Sequence, residues 1–105
     1  MTIAEFKTQL KPYKALLGFD YGSKRLGVAV SDLLLMTATP YKIIQRGNFQ
    51  ADLAEIQKII REKEIGGIVY GLPLQMNGEE GDIAQEVRKF AQRLAQEVKL
   101  PYFFW

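Results

Sequence analysis

The 105-residue sequence contains no cysteine and no histidine. Without cysteine the chain can form neither a disulfide nor a thiolate nucleophile, and without both residues it cannot build a Cys/His zinc site. Imidazole is also absent as a general base. Any catalysis must therefore use carboxylates, lysine, tyrosine or hard metal ions held by oxygen ligands.

Long hydrophobic runs are missing as well. No apolar stretch approaches the roughly 20 residues that cross a bilayer, and the segment from Met1 to Lys7 lacks the apolar core of a signal peptide. We therefore expect a cytoplasmic protein with no membrane partner.

Charge is nearly balanced, because 14 Lys and Arg residues oppose 12 Asp and Glu residues and leave a net charge of +2. This mild basic excess permits a polyanionic partner without arguing for one. The length and the 48% content of hydrophobic residues are typical of one globular domain.

The apolar pattern changes period several times along the chain, which predicts alternating strands and helices. Residues 1–14 are of mixed composition, so we interpret them as an N-terminal leader before a single domain over residues 15–105. Within the domain the pattern predicts strands over 15–20, 26–31, 36–45, 68–73 and 100–105, one helix from the N-cap Asn48 to Gly66-Gly67, and another over 79–98.

The order of these elements predicts an α/β fold with a mixed five-stranded sheet of strand order 3-2-1-4-5. The first two strands share a glycine-bearing turn and pair antiparallel, and two crossover helices bring the fourth and fifth strands parallel to the first. Pro40 places the third strand at an edge of the sheet. Ligands collect at the carboxyl ends of parallel strands, and Asp20 ends the first strand.

The stretch GFDYGSKRLGVAVSD, residues 18–32, contains an isolated carboxylate at Asp20. Gly22 allows a sharp turn and the close approach of a phosphate or a metal. Proteins hold Mg²⁺ through one or two carboxylates, water and substrate phosphates. Alternatively, Asp20 starts a tight turn by accepting a hydrogen bond from the backbone ahead of it.

Two blocks of the sequence resemble one bacterial family. The first is D-x-G-x-K-R-x-G-V-A-x-S-D, here Asp20 to Asp32, and the second runs over residues 71–81 and is followed by residues 87–91. Together they resemble the YqgF family, also called RuvX, over nearly the whole chain from Ala15 to Trp105.

The resemblance implies an RNase H-like fold and a metal-dependent nuclease that hydrolyses phosphodiester bonds. Family members are linked to maturation of the 5′ end of pre-16S rRNA in ribosome biogenesis and are also called Holliday junction resolvases, so pre-16S rRNA and branched DNA are the implied partners. Asp20 matches the catalytic first-strand carboxylate that holds Mg²⁺ or Mn²⁺. These ions activate water and stabilise the departing oxygen, a route that needs no histidine.

The chain departs from the family pattern after Trp105, where the family continues with Asp-Glu-Arg and a terminal helix bearing a further Asp. Both segments supply acids to the site. We therefore expect a C-terminally truncated domain with weak or no nuclease activity by itself. Loss of a covering segment would also expose the apolar run from Tyr102 to Trp105 and favour association into homo-oligomers.

Three cations are candidates for substrate binding. Lys24 and Arg25 in the first turn could hold backbone phosphates without reading sequence, or they could form a solvated hairpin tip. Arg88 also matches the family, although an ion pair on the helix surface would explain it as well.

The remaining acids have stronger local explanations. Glu79, Glu80 and Asp82 could rebuild a metal site, but Asn77 with Glu80 resembles a capping box, and acids in a first helical turn suit the helix dipole. Asp32 is interpreted as a turn residue.

Two other functions stay open. A module that kept the fold and lost the site would bind nucleic acid or assembling ribosomes without cleaving. An actin-like nucleotide binder would use residues 20–23, Asp-Tyr-Gly-Ser, as a phosphate loop.

Overall fold

A computed structural model describes residues 2–11, 14–22, 24–31, 38–73, 78 and 81–105. In chain order the elements are α1 (Ile3–Gln9), β1 (Ala15–Tyr21), β2 (Arg25–Ser31), β3 (Ala38–Gln45), α2 (Phe49–Glu62), β4 (Ile65–Tyr70), α3 (Asp82–Ala95) and β5 (Tyr102–Phe104).

The strands form one five-stranded sheet in the order β3-β2-β1-β4-β5. β1 pairs antiparallel with β2 and parallel with β4, β2 pairs antiparallel with β3, and β4 pairs parallel with β5. The predicted strand order and the edge position of the strand that contains Pro40 are therefore confirmed.

One side of the sheet, which we call the helix face, carries the core. Leu17 and Phe19 of β1 are buried there, because alternate residues of a strand point to opposite sides. The apolar stripes of α2 and α3 belong to the same buried cluster. Asn48 caps α2 as predicted, since its side chain accepts a hydrogen bond of 2.8 Å from the backbone N–H of Ala51. Within the described ranges no helix is long and apolar enough to cross a membrane.

The glycine pair Gly66-Gly67 does not end α2, and that prediction was wrong. The helix ends at Glu62, Glu64 takes the left-handed conformation with φ 52°, and both glycines lie inside β4. A Cβ placed on Gly67 would lie 2.6 Å from Leu10 Cδ2. A side chain at Gly67 would therefore displace the residues that pack over this strand, so the glycine serves packing on the sheet and not helix capping.

Residues 2–11, within the segment interpreted as a leader, contain α1. Thr2 and Glu5 form a capping box, and Phe6 is buried with its ring centroid 5.7 Å from that of Phe103. Phe103 points away from its neighbours Tyr102 and Phe104, which join the core on the helix face. Helix α1 therefore covers part of the opposite side, which we call the Asp20 face.

Candidate functional site

Asp20 is exposed near the carboxyl end of the central strand β1 and lies opposite Gly27 of β2. It alternates with Phe19 and therefore points to the Asp20 face. A Cβ on Gly27 would lie 3.3 Å from Asp20 Cβ and 3.9 Å from its Oδ2 atom. The missing side chain at Gly27 thus leaves open space beside the carboxylate.

A cavity of about 410 Å³ lies next to this carboxylate. Its lining is almost entirely glycine and apolar residues, including Gly18, Val69, Gly71 and Trp105. Asp20 is the one acid among the described residues that line this Asp20 cavity. The site therefore combines a single accessible carboxylate with an apolar surface.

The turn after Asp20 requires Gly22 for a steric reason. A Cβ at that position would lie 2.5 Å from the carbonyl oxygen of Arg25, a distance that no real side chain tolerates. Gly22 therefore serves the tight connection between β1 and β2, whether or not a ligand approaches.

Lys24 and Arg25 are both exposed beside this turn. Arg25 is two residues from Gly27 on β2 and so shares the Asp20 face. The Lys24 carbonyl accepts a 2.9 Å hydrogen bond from the backbone N–H of Arg46. The role of both cations in substrate binding stays a prediction.

Arg88 lies on the other side of the sheet. Its guanidinium is 4.7 Å from the ring centroid of Phe104, a residue of the helix face. The structure therefore does not bring Arg88 together with Asp20, and its role in substrate binding also stays a prediction.

No second acid joins Asp20 among the residues described. No group of three or more Asp or Glu residues in these ranges could hold a metal ion. Asp82 is exposed at the first position of α3, whose N-cap is Gly81 without a side-chain hydrogen bond. Asp32, Glu79 and Glu80 lie outside the described residues, as does the predicted capping box.

A buried ion pair beside the turn was missed by sequence reasoning. The periodicity places Asp52 on the polar side of α2, yet its side chain is only 3% exposed and accepts hydrogen bonds from Arg46 Nε (3.4 Å) and the Gly47 N–H (3.1 Å). Arg46 also donates to the Gly22 carbonyl at 3.2 Å. The pair thereby ties the turn after β1 to the start of α2, and spacing along one helix could not have indicated it.

The aromatic residues mostly build the core, as the sequence pattern suggests. Tyr70 is 1% exposed and its ring packs against those of Phe19, Phe90 and Phe104. Burial, with a smaller contribution from nearby Tyr102, raises the pKa of the Tyr70 hydroxyl well above its usual range. Tyr70 therefore favours the neutral form and belongs to the buried core.

Comparison with known proteins gives concordant matches in sequence. The family model described as RuvX, Holliday junction resolvase, matches residues 14–105. A Rhodobacter capsulatus protein named "Putative pre-16S rRNA nuclease" is 46% identical over 96% of this chain and 64% of its own length. Proteins of the same name from Ruegeria pomeroyi and Bartonella tribocorum are 42% and 37% identical over 99% and 100% of this chain. The chain thus spans about two thirds of the length of these curated relatives.

Solved structures match the fold. Thermus thermophilus RuvC in complex with a Holliday junction substrate superposes with a TM-score of 0.61 at 13% identity, over 88% of this chain and 64% of RuvC. A Bacteroides thetaiotaomicron protein with an actin-like ATPase fold superposes with a TM-score of 0.50 at 6% identity, over 98% of this chain and 37% of that one. At such identities these matches establish the RNase H-like architecture alone.

Proposed function

Because this chain belongs to the RuvX family, we propose that the protein is a divalent-metal-dependent nuclease that hydrolyses phosphodiester bonds in maturation of the 5′ end of pre-16S rRNA in the cytoplasm. The name carried by the relatives supports this substrate. The description of the family model makes branched DNA the competing substrate.

The observation that carries the proposal is the exposed Asp20 carboxylate at the end of the central strand. Mg²⁺ and Mn²⁺ prefer oxygen ligands, and Mg²⁺ is often held by one or two carboxylates with substrate phosphates and water. When bound, such an ion supplies an activated water and stabilises the departing oxygen. Asp20 fits as one ligand of that set.

The other residues of the site act on the substrate. Lys24 and Arg25 flank the turn and would hold backbone phosphates, while Gly27 leaves the carboxylate accessible. Since Asp20 is the one acid among the described residues that line the Asp20 cavity, and the described residues contain no metal-binding cluster of three or more acids, we expect these 105 residues to cleave weakly or not at all without further donors. The mostly apolar lining of the Asp20 cavity, which includes the exposed Trp105, would also favour association of the chain with itself.

Cleavage of a labelled pre-16S 5′-leader RNA tests the proposal. The chain would be compared with a chimera that continues beyond Trp105 with the C-terminal segment of the Rhodobacter capsulatus relative, in Mg²⁺, in Mn²⁺ and in EDTA. We expect the chimera to cleave only with metal and Asp20→Asn to abolish cleavage. A four-way DNA junction in parallel reactions distinguishes the two substrates. Metal-dependent cleavage that survives Asp20→Asn would contradict the assignment.

A binding module without catalysis is the second candidate, and the absence of an acid cluster among the described residues favours it. Such a protein would bind RNA equally well in EDTA and after Asp20→Asn, and neither the chain nor the chimera would cleave. The same reactions therefore separate the two functions.

A further inference from the structure

A second cavity, of about 310 Å³, opens on the helix face beside the last residue of β1. We call it the Arg46 cavity. Its lining differs from that of the Asp20 cavity, because it combines three cations, one acid and three aromatic rings: Arg46, Lys89, Arg93, Glu86, Tyr21, Phe49 and Phe90. Tyr21 directly follows Asp20 in the chain, so the two cavities lie on opposite sides of the sheet near the end of the same strand.

Arg46 lines this cavity, and its side chain is held in place by hydrogen bonds. Its side chain is held by the buried Asp52 carboxylate at 3.4 Å and by the Gly22 carbonyl at 3.2 Å. The guanidinium also lies 4.7 Å from the ring centroid of Tyr21 and 5.1 Å from that of Phe90. Because Asp52 balances its charge, Arg46 supplies a rigid planar surface rather than a free cation.

Lys89 and Arg93 supply the available positive charge. They are four residues apart on α3 and therefore lie on one side of that helix. The Arg93 guanidinium lies 4.0 Å from the ring centroid of Phe49. In the part of the chain that the structure describes, neither Lys89 nor Glu86 makes an ion pair within 4.0 Å.

We propose that the Arg46 cavity binds one unpaired nucleotide of a single-stranded nucleic acid. Lys89 and Arg93 hold its phosphate, and the base stacks against the layer formed by Phe49 and the Arg93 guanidinium. Bases stack on aromatic rings and on arginine planes, and only an unpaired base can enter a recess, since a duplex keeps its bases inside.

Glu86 narrows the choice of ligand. A carboxylate at the edge of the cavity opposes a simple anion such as inorganic phosphate, but it accepts hydrogen bonds from an amino group of a base. A nucleotide offers both the anion for Lys89 and Arg93 and the donor for Glu86. Binding of a nucleotide in the Arg46 cavity needs no metal ion. The proposed nuclease function is assumed only for the idea that the bound strand continues to Asp20.

Fluorescence anisotropy of a labelled single-stranded RNA oligonucleotide, titrated in EDTA, tests the proposal. The double variant Lys89→Gln/Arg93→Gln on α3 is compared with the control Lys58→Gln/Arg61→Gln. The control removes the same charge from exposed positions on a different helix, α2. We expect about tenfold weaker binding for the first pair alone, and a salt dependence of log K reduced by about 0.7 for each lost phosphate contact. Equal losses of affinity in the two double variants would mean that only net charge matters, and would overturn the proposal. Unchanged affinity in Lys89→Gln/Arg93→Gln would overturn it as well.

Two further variants separate stacking from charge. Phe49→Leu keeps apolar volume and Arg93→Lys keeps the charge, but each removes a planar surface. We expect each to weaken binding about fivefold or more without changing the salt dependence. Retention of full affinity by both would overturn the stacking role.

The ligand class has its own controls. An RNA duplex or free nucleoside monophosphate that binds as tightly as the single strand would overturn the assignment to an unpaired nucleotide within a strand. Asp20→Asn should bind the single strand normally in EDTA. If binding depends on Lys89 and Arg93 but no form of the protein cleaves, the proposed nuclease function is overturned and the proposed binding site stands. If cleavage depends on Asp20 but the Lys89/Arg93 variant binds RNA with full affinity, the nuclease function stands and the binding site is overturned.

Discussion

Asp20 and Gly27 face each other across the β1–β2 pair, and a Cβ on Gly27 would stand 3.3 Å from the Cβ of Asp20. That separation is tighter than an ordinary contact, so any side chain at Gly27 must displace the carboxylate by a few tenths of an ångström. The glycine thus sets the position of Asp20.

Gly27→Ala should therefore impair cleavage without impairing folding. We expect about tenfold slower metal-dependent cleavage by the chimera, because small displacements of a reacting group are costly. The free energy of unfolding should change by less than about 1 kcal/mol, since a strand interior disfavours glycine. A variant that cleaves at the normal rate would show that the space beside Asp20 is not used.

The Arg46–Asp52 pair should stabilise the fold far more than a surface pair. Their side chains are 16% and 3% exposed, and Arg46→Met leaves the Asp52 carboxylate buried without its partner. We expect a loss of about 3 kcal/mol in the free energy of unfolding, measured with urea. Adding Asp52→Leu should recover part of that loss.

The exposed pair Lys14–Glu64, at 4.0 Å, provides the matched control. Lys14→Met should cost less than about 1 kcal/mol. Similar losses for Arg46→Met and Lys14→Met would contradict the structural role of the buried pair.

Phe6 and Gly67 should be energetically coupled, because a Cβ at Gly67 would lie 3.2 Å from Phe6 Cζ. We expect Gly67→Val to destabilise by about 1–3 kcal/mol through overpacking and Phe6→Ala by about 3 kcal/mol through loss of a buried ring. In a double-mutant cycle the valine should cost less once Phe6 is alanine.

Gly71→Val is the control substitution, at a glycine on the same side of the sheet. A Cβ at Gly71 would contact only the Phe19 carbonyl, at an ordinary 3.6 Å. It should be nearly neutral. Strict additivity of Gly67→Val and Phe6→Ala would mean that α1 does not pack on the sheet in solution.

Tyr70 should make stability fall in alkaline solution. Burial raises the pKa of its hydroxyl, so the folded state holds the proton more tightly than the unfolded chain does. That stabilisation is complete below the unfolded pKa of about 10 and is lost as the pH rises toward the folded value. Above about pH 10 the wild type should lose up to about 1.4 kcal/mol per pH unit more than Tyr70→Phe. Parallel pH profiles for the two proteins would contradict this.

Trp105 should promote self-association, because it is 77% exposed at the rim of the apolar Asp20 cavity. Light scattering of the chain should give a mass that rises with concentration, and Trp105→Ser should reduce the rise. A monomeric wild-type chain that melts cooperatively would argue against association through this face.

The features that follow from local pattern were predicted from the sequence. The short apolar run of β1, the helical stripe of α2 with its cap at Asn48, and the edge position of Pro40 each depend on neighbours within a few residues. The position of Asp20 at a strand end is of the same kind. The strand order could also be predicted, because the connections between these elements allow only a few sheet topologies.

The rest was decided by contacts between residues distant in sequence. Gly67 lies in β4, where it pairs with β1 and where Leu10 and Phe6 pack over it, and Asp52 is buried beside Arg46, which neutralises it next to the turn at Gly22. Arg46 precedes α2 whereas Lys89 and Arg93 lie on α3, and only the folded domain brings Arg46 together with the other two cations of the Arg46 cavity. The sequence by itself determined the elements and the lone carboxylate, since hydrophobic periodicity and capping are local. Tertiary packing decided which surfaces are covered, which charges are paired and which cavities remain open. Its energy depends on contacts between residues that are far apart in the sequence, which no short window of sequence contains.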